Sequence, residues 1–391
     1  MIKTYPVVAA VVLAAISTAT AQPKKAEPVD YAAIAEKVVG VSANVKEGEV
    51  VQVHGGVGDL ALLEEIVLAV RKRGAHPLLT ITTDKIARAS RTAPEKYDSQ
   101  EPKLANELTK LINVRIFIPA VRDPSIGGLL APDREAKRAK AEAGIADLEL
   151  KRKVRVVELN NGLVPSPWRA KELGVSEPEL AKIFWDGLSA DFSAVEAKCK
   201  ALRDTVAAGS ELRITHPNGT DLKLKVKGRK PNVSDGVTSD AEVKAGGVGA
   251  QAWLPAGDVY LTPVPGSAEG KLVDDRMLFM GKEITGVTAE IAKGKTTSIT
   301  AKAGWENVKP RYDVAGPGKT EVGFVDFGCN PAIKSGGKLE TWMGAGMVTI
   351  GLGGNVWAGG TNKEPFGLLH QLAGATVTLD GKPLIEAGVL K

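Results

Sequence analysis

From Tyr31 to Asn160 the sequence alternates short β-rich runs with stretches of helical period, and this alternation constrains the fold more than any other feature. EGEVVQVHGG reads as a strand with a turn at each end, DLALLEEIVLAVRKRG as an amphipathic helix stopped by Gly74, and AHPLLTITT as the next strand. A helix around EPKLANELTKLI, the strand NVRIFIPAV, a charged helix and the strand KVRVVELN follow. Strands separated by helices of this length predict a mostly parallel sheet wound in the α/β manner. SEPELAKIFWDGLSADFSAVEAKCKALRDTVA leads out of it as a helical pair.

The character changes at Gly209. SELRITHPNGTDLKLKVKGR carries two strands around Pro217-Asn218-Gly219, a hairpin signal, and short β-rich runs separated by glycine and proline continue to the C-terminus. The expected fold is an α/β N-terminal domain with a mostly parallel sheet over 31–208, followed by a β-rich α+β C-terminal domain over 209–391.

At the N-terminus, Lys3 precedes the apolar run PVVAAVVLAAIS, which is short for a bilayer crossing and is followed by Ala19-Thr20-Ala21, a pattern that suits signal peptidase. Residues 1–21 therefore read as a secretory signal cleaved after Ala21, with an uncleaved anchor as the competing reading, and 22–30 as a mobile lead-in. The expected protein is periplasmic or secreted, with no stable membrane span after cleavage. Cys199 and Cys329 are the two cysteines. An exported protein permits them one disulfide, but they fall in different expected domains, and two free buried thiols fit equally well. The net charge of +5 is spread along the chain without aromatic interleaving or a nucleic-acid module, so nucleic acid is not an expected partner.

No HExxH, GxSxG, paired-cysteine zinc pattern or Ser-x-x-Lys appears, so any catalytic site is assembled from scattered positions. The loop His54-Gly55-Gly56-Val57-Gly58-Asp59 fits neither GxGxxG nor the Walker lysine pattern and reads as a tight strand-to-helix turn with Asp59 at the helix start. His76 and His216 each precede a proline and read as structural.

Three segments place acidic residues or histidine beside strand and glycine signals: AWLPAGDVYLTPVPGSAEGKLV (252–273), KTEVGFVDFGCNP (319–331) and LGGNVWAGGTNKEPFGLLHQL (352–372). With VSANVKEGEVVQVHGG, KRGAHPLL and NGTDLKLKVKGR they stand in the order found in the metallo-aminopeptidases of the aminopeptidase T and aminopeptidase S type, which nearly the whole mature chain resembles. The resemblance implies a dinuclear metal site between two domains, a homodimer, and hydrolysis of N-terminal peptide bonds by a metal-activated water.

Carried over position by position, the resemblance assigns the first metal carboxylate to Asp258, where the family has glutamate. It assigns the second to Glu321, which would also be the general base, with Asp326 as the alternative under a different gap placement around FGCNP. The family histidine in Gly-x-Val-His-Ile-x-Leu-Gly falls on Thr349. The final His-x-Asp pair falls on His370 and Leu372, and the catalytic tyrosine on Val356 or Trp357. Asp258, Glu321 and His370 would then hold one divalent metal rather than two, as two carboxylates and an imidazole do for zinc, with manganese and cobalt as alternatives, or none. Leu372 would set an apolar side chain against that site. Two functions follow: a metallo-aminopeptidase acting on peptides, or a catalytically degenerate relative that binds peptides or a small ligand. A third reading makes the glycine-rich tail a dimer interface.

Overall fold

The computed structural model describes residues 29–333 and 338–391, so the expected signal peptide lies outside the described residues. Tyr31–Lys391 form one compact unit. The first part runs α1 (Tyr31–Lys37), β1 (Val50–Gly56), α2 (Leu60–Lys72), β2 (His76–Thr82), α3 (Asp84–Arg91), α4 (Lys103–Leu111), β3 (Val114–Phe117), α5 (Pro132–Arg152), β4 (Arg155–Leu159), α6 (Pro167–Leu173), α7 (Glu177–Ser189) and α8 (Phe192–Ala208). The helices form where the period dictates. In α2, Leu62, Leu63, Ile66, Ala69 and Val70 make one buried stripe, and Gly74 at φ +71° stops the chain just beyond it. In α8 the buried stripe is Phe192, Val195, Cys199, Leu202 and Val206, and the Asp191 carboxylate accepts from the Ser193 amide at the start. Each fully buried leucine or valine in such a stripe contributes roughly 1.5–3 kcal/mol.

The second part runs β5 (Glu211–Thr215), β6 (Asp221–Lys225), β7 (Asn232–Ser234), α9 (Asp240–Ala245), β8 (Gln251–Leu254), β9 (Asp258–Leu261), β10 (Glu269–Phe279), β11 (Lys282–Ala292), β12 (Lys295–Thr300), α10 (Lys309–Val314), β13 (Val322–Gly328), β14 (Val348–Gly353), β15 (Gly367–Leu372), β16 (Thr376–Leu379), β17 (Lys382–Glu386) and β18 (Val389–Leu390). The expected hairpin is β5–β6, closed by the His216 amide donating to the Thr220 carbonyl with Gly219 at φ +104°.

Three sheets result. A parallel sheet has the order β2-β1-β3-β4-β8, and its last strand comes from residues 251–254 in the β-rich half. An eight-stranded sheet has the order β12-β11-β10-β6-β5-β16-β17-β18. The third, β15-β14-β13-β9-β7, is antiparallel and carries the candidate site. Its inner face, with Val259, Val325, Phe327, Val348, Ile350, Leu368 and Leu372, packs in one core with α8 and the eight-stranded sheet. Cys199 of α8 and Cys329, just past β13, form a disulfide, which resolves the two readings open in the sequence.

Candidate functional site

The link between the parallel sheet and the third sheet is only Pro255-Ala256-Gly257, and it sets the site. Gly257 sits at φ +133°, and a Cβ there would lie 2.4 Å from the Asn330 Cβ, so the PAGD sequence needs glycine before the aspartate. The Cys329 amide donates to the Gly257 carbonyl at 2.7 Å, and Asp258 follows as the first residue of β9.

Residues directly opposite each other across paired strands share a face, and neighbours along a strand alternate. Tyr260 stands opposite Asp326, Asp326 opposite Thr349, and Thr349 opposite Gln371. Asp258, two residues from Tyr260, shares that face. The same rule puts His370, opposite Ile350, and Leu372, opposite Val348, on the other face with the core.

The face carrying Asp258 closes one side of a cavity of about 650 Å³, within the range of ordinary small-ligand pockets. Glu158 at the end of β4 and Trp253 of β8, opposite each other in the parallel sheet, contribute to the other side. The walls are aromatic: Trp253, Tyr260, Phe324, Trp342, Trp357 and Phe366 all line the space. Four of these rings pack on one another, with centroids 5.4 Å apart for Trp253–Tyr260, 5.6 Å for Trp253–Trp357 and 4.7 Å for Phe324–Trp357.

At the floor, Asp258 is 5% exposed, Asp326 4% and Tyr260 2%. Oδ1 of each aspartate, the Tyr260 hydroxyl and Oγ1 of Thr349 are buried without a hydrogen-bond partner. Burial pushes the Asp258 carboxyl well above the usual carboxylate range, and the charge of Asp235 adds to the shift. Burial raises Asp326 as well, with the charge of Asp258 second. Tyr260 is raised by burial and then by both aspartates. Glu158 is also raised by burial, offset by the amide of Asn160.

The structure does not bring Asp258, Glu321 and His370 together. Glu321 precedes β13, and its carboxylate lies 3.4 Å from Lys295 Nζ at the protein surface. Asp258 is opposite Gly328, seven residues further along β13, which at about 3.3 Å per residue is roughly 20 Å away. His370 is fully buried on the core face, with Nδ1 3.0 Å from Asp274 Oδ2. Leu372 faces the core too, and not the cavity. Of the two open carboxylate alignments, Asp326 is the residue beside Asp258. Trp357, at the tyrosine position, does reach the cavity and is 37% exposed.

Alternation carried a signal for His370. In GLLHQLAG the apolar Leu368 and Leu372 flank it at two residues on each side, which is the pattern of a core-facing position. No comparable sequence signal announced Trp253, Glu158 or Trp342, because their approach depends on long-range packing.

The divalent metal implied by the resemblance would have to be held by these donors. Zinc is held by three or four imidazole, thiolate or carboxylate ligands. The cavity floor offers two carboxyls, the Tyr260 hydroxyl and no imidazole. Among the described residues no group of three or more His, Cys, Asp or Glu side chains is placed to hold a metal ion. The donor set does not fit.

Among solved structures, the chain is similar to wild-type AmpT from Thermus thermophilus at 18% identity and a TM-score of 0.71, over 92% of this chain and 98% of that one. It is also similar to 2,5-dihydroxypyridine dioxygenase from Pseudomonas putida KT2440 at 14% identity and a TM-score of 0.56, over 92% and 96% of the two chains. At these identities both likenesses concern the fold. No curated relative matches. Residues 29–314, most of the chain, match the family described as thermophilic metalloprotease (M29). The α/β sheet, the antiparallel second half and this match converge: the chain belongs to the thermophilic metalloprotease family M29.

Proposed function

We propose that this metallo-aminopeptidase-like chain, related to the aminopeptidase T and S type, binds a peptide or small ligand in its aromatic cavity without hydrolysing it through a dinuclear metal site. The observation that carries this reading is the composition of one sheet face. Beside Asp258 and Asp326 it presents Thr349 and Gln371, and the one histidine of these strands turns to the core. Two metal ions held close together need several anionic or imidazole ligands to offset their repulsion. A solved structure of similar fold is described as a dioxygenase, so this fold does not by itself fix the chemistry.

Family membership favours the competing reading, an aminopeptidase in which a metal-activated water attacks the first peptide bond. With Glu321 held by Lys295 away from the cavity, that reading has no general base at its assigned position. The test is metal analysis of the purified protein, followed by an aminoacyl-amide release assay after reconstitution with zinc, manganese or cobalt. The expected result is no stoichiometric metal and no release above that of an Asp258→Asn/Asp326→Asn variant. Metal-dependent release that this variant abolishes would overturn the proposal.

The proposal includes export. It rests on segment 1–21 and on the Cys199–Cys329 disulfide, a bond that persists in oxidising compartments. No described helix is long and apolar enough to cross a membrane.

A further inference from the structure

We infer that the occupant of the cavity is a monovalent organic cation, an ammonium or guanidinium group on an apolar body, held by Asp258 and Asp326 against the aromatic walls. This rests on the reading that the cavity binds a small ligand, and adds the ligand's chemical class.

The first argument is charge. Five carboxylates line the cavity, those of Glu149, Glu158, Asp258, Asp326 and Glu364, against a single cation, Lys363. Arg115 pairs with Glu149, and Lys363 pairs with Asp147 at 3.0 Å, outside the lining. Glu158, Asp258, Asp326 and Glu364 have no ion-pair partner among the described residues. A concave site lined by one sign of charge with low-dielectric walls concentrates the opposite charge.

The second argument is hydrogen bonding. The unpartnered buried atoms at the floor include two carboxyl oxygens and a phenol oxygen. A cation beside these carboxyls favours their ionised, accepting form, so the group that satisfies them must donate. An ammonium carries three N–H donors and a guanidinium five, and a charge-assisted pair to a carboxylate is about twice as strong as a neutral bond. An anionic group would be repelled by the carboxylates that line the space.

The third argument is the wall. Trp253, Tyr260, Phe324 and Trp357 form one packed group of rings next to the two aspartates. Ring faces attract an organic cation through their quadrupole while also covering its apolar body. A small divalent ion needs several further ligand atoms, which these rings do not supply. The same cavity that lacks a metal donor set is complete for a monovalent cation with a hydrocarbon frame.

The test uses the full chain and two probes of one shape, phenethylammonium and uncharged 2-phenylethanol, read by tryptophan fluorescence and by calorimetry. Three of the chain's six tryptophans line the cavity and report on it. Phenethylammonium is expected to quench saturably and to bind at least about tenfold more tightly than 2-phenylethanol. Asp258→Asn/Asp326→Asn is expected to erase that preference while 2-phenylethanol binding stays, which also shows that the variant is folded. Equal binding of the two probes, or binding of neither, would overturn the inference. If the alcohol alone binds well, the cavity is still a ligand site and only the cation assignment fails. Stoichiometric zinc binding that displaces phenethylammonium, with release of aminoacyl amides, defeats both this inference and the reading beneath it.

Discussion

His370 Nδ1 lies 3.0 Å from Asp274 Oδ2, and both side chains are buried beneath the sheet whose opposite face carries Asp258. Asp274 also accepts from the Arg276 amide at 2.9 Å, so the imidazole completes the partners of a carboxyl in the interior. His370→Ala removes that partner and leaves a void in the core. The expected cost is about 2–4 kcal/mol, seen as a lower urea midpoint. Affinity of the cavity for phenethylammonium should be unchanged; a loss of affinity equal to that of an Asp258 variant would place His370 in the site after all.

The carboxyl pair makes stability depend on pH in a definite direction. Asp258 and Asp326 are both raised by burial, so the folded chain holds more protons than the unfolded one above the ordinary carboxylate range near about 4. Their contribution is present at low pH and is lost as pH rises through the raised folded values. Asp326→Asn removes one of the two titrations and the repulsion between them. The variant should melt higher than the wild type at pH 8, with the gap closing toward pH 4, in thermal scans at both values.

The bond between Cys199 and Cys329 spans 130 residues and ties α8 to the end of β13. Closing a loop of that size restricts the unfolded chain, and its loss is expected to cost about 3–5 kcal/mol. A Cys199→Ala/Cys329→Ala pair compared with the oxidised protein by urea unfolding measures this. Equal midpoints would mean that the unfolded chain gains nothing from release.

Gly257→Ala combines a left-handed backbone with a contact of 2.4 Å to Asn330. Strain of about 1–3 kcal/mol is expected, together with displacement of the neighbouring Asp258. The readout is a lower melting temperature and a weakened preference for phenethylammonium over 2-phenylethanol. An alanine variant with wild-type melting and the same preference would show that the turn relaxes at no cost.

The parallel sheet and the β-rich second half were legible because periodicity is local: the stripe Leu62, Leu63, Ile66, Ala69 and Val70 and the Pro217-Asn218-Gly219 hairpin are each written within one short window. The ligand assignment depended on strand register, which is not local. The pairing of β13 with β14 shifts between Val322 and Phe324, so alternation counted from Glu321 does not carry through to Asp326. His370 lies away from the cavity for another reason. Residue type alone does not specify the face, which Leu368 and Leu372, two residues to each side, fix toward the core. The fifth parallel strand, Gln251–Leu254, brings Trp253 into the cavity from beyond the change in character at Gly209, a pairing with β4 across almost a hundred residues.

The alternation of the third sheet divides its positions into two independent registers of change. Exchanges at Asp258, Tyr260 or Asp326 alter what the cavity meets, and exchanges at Val325, Ile350 or His370 alter what the core holds. A lineage can therefore rewrite the chemistry of this fold one face at a time, and a new ligand need not be preceded by a new scaffold.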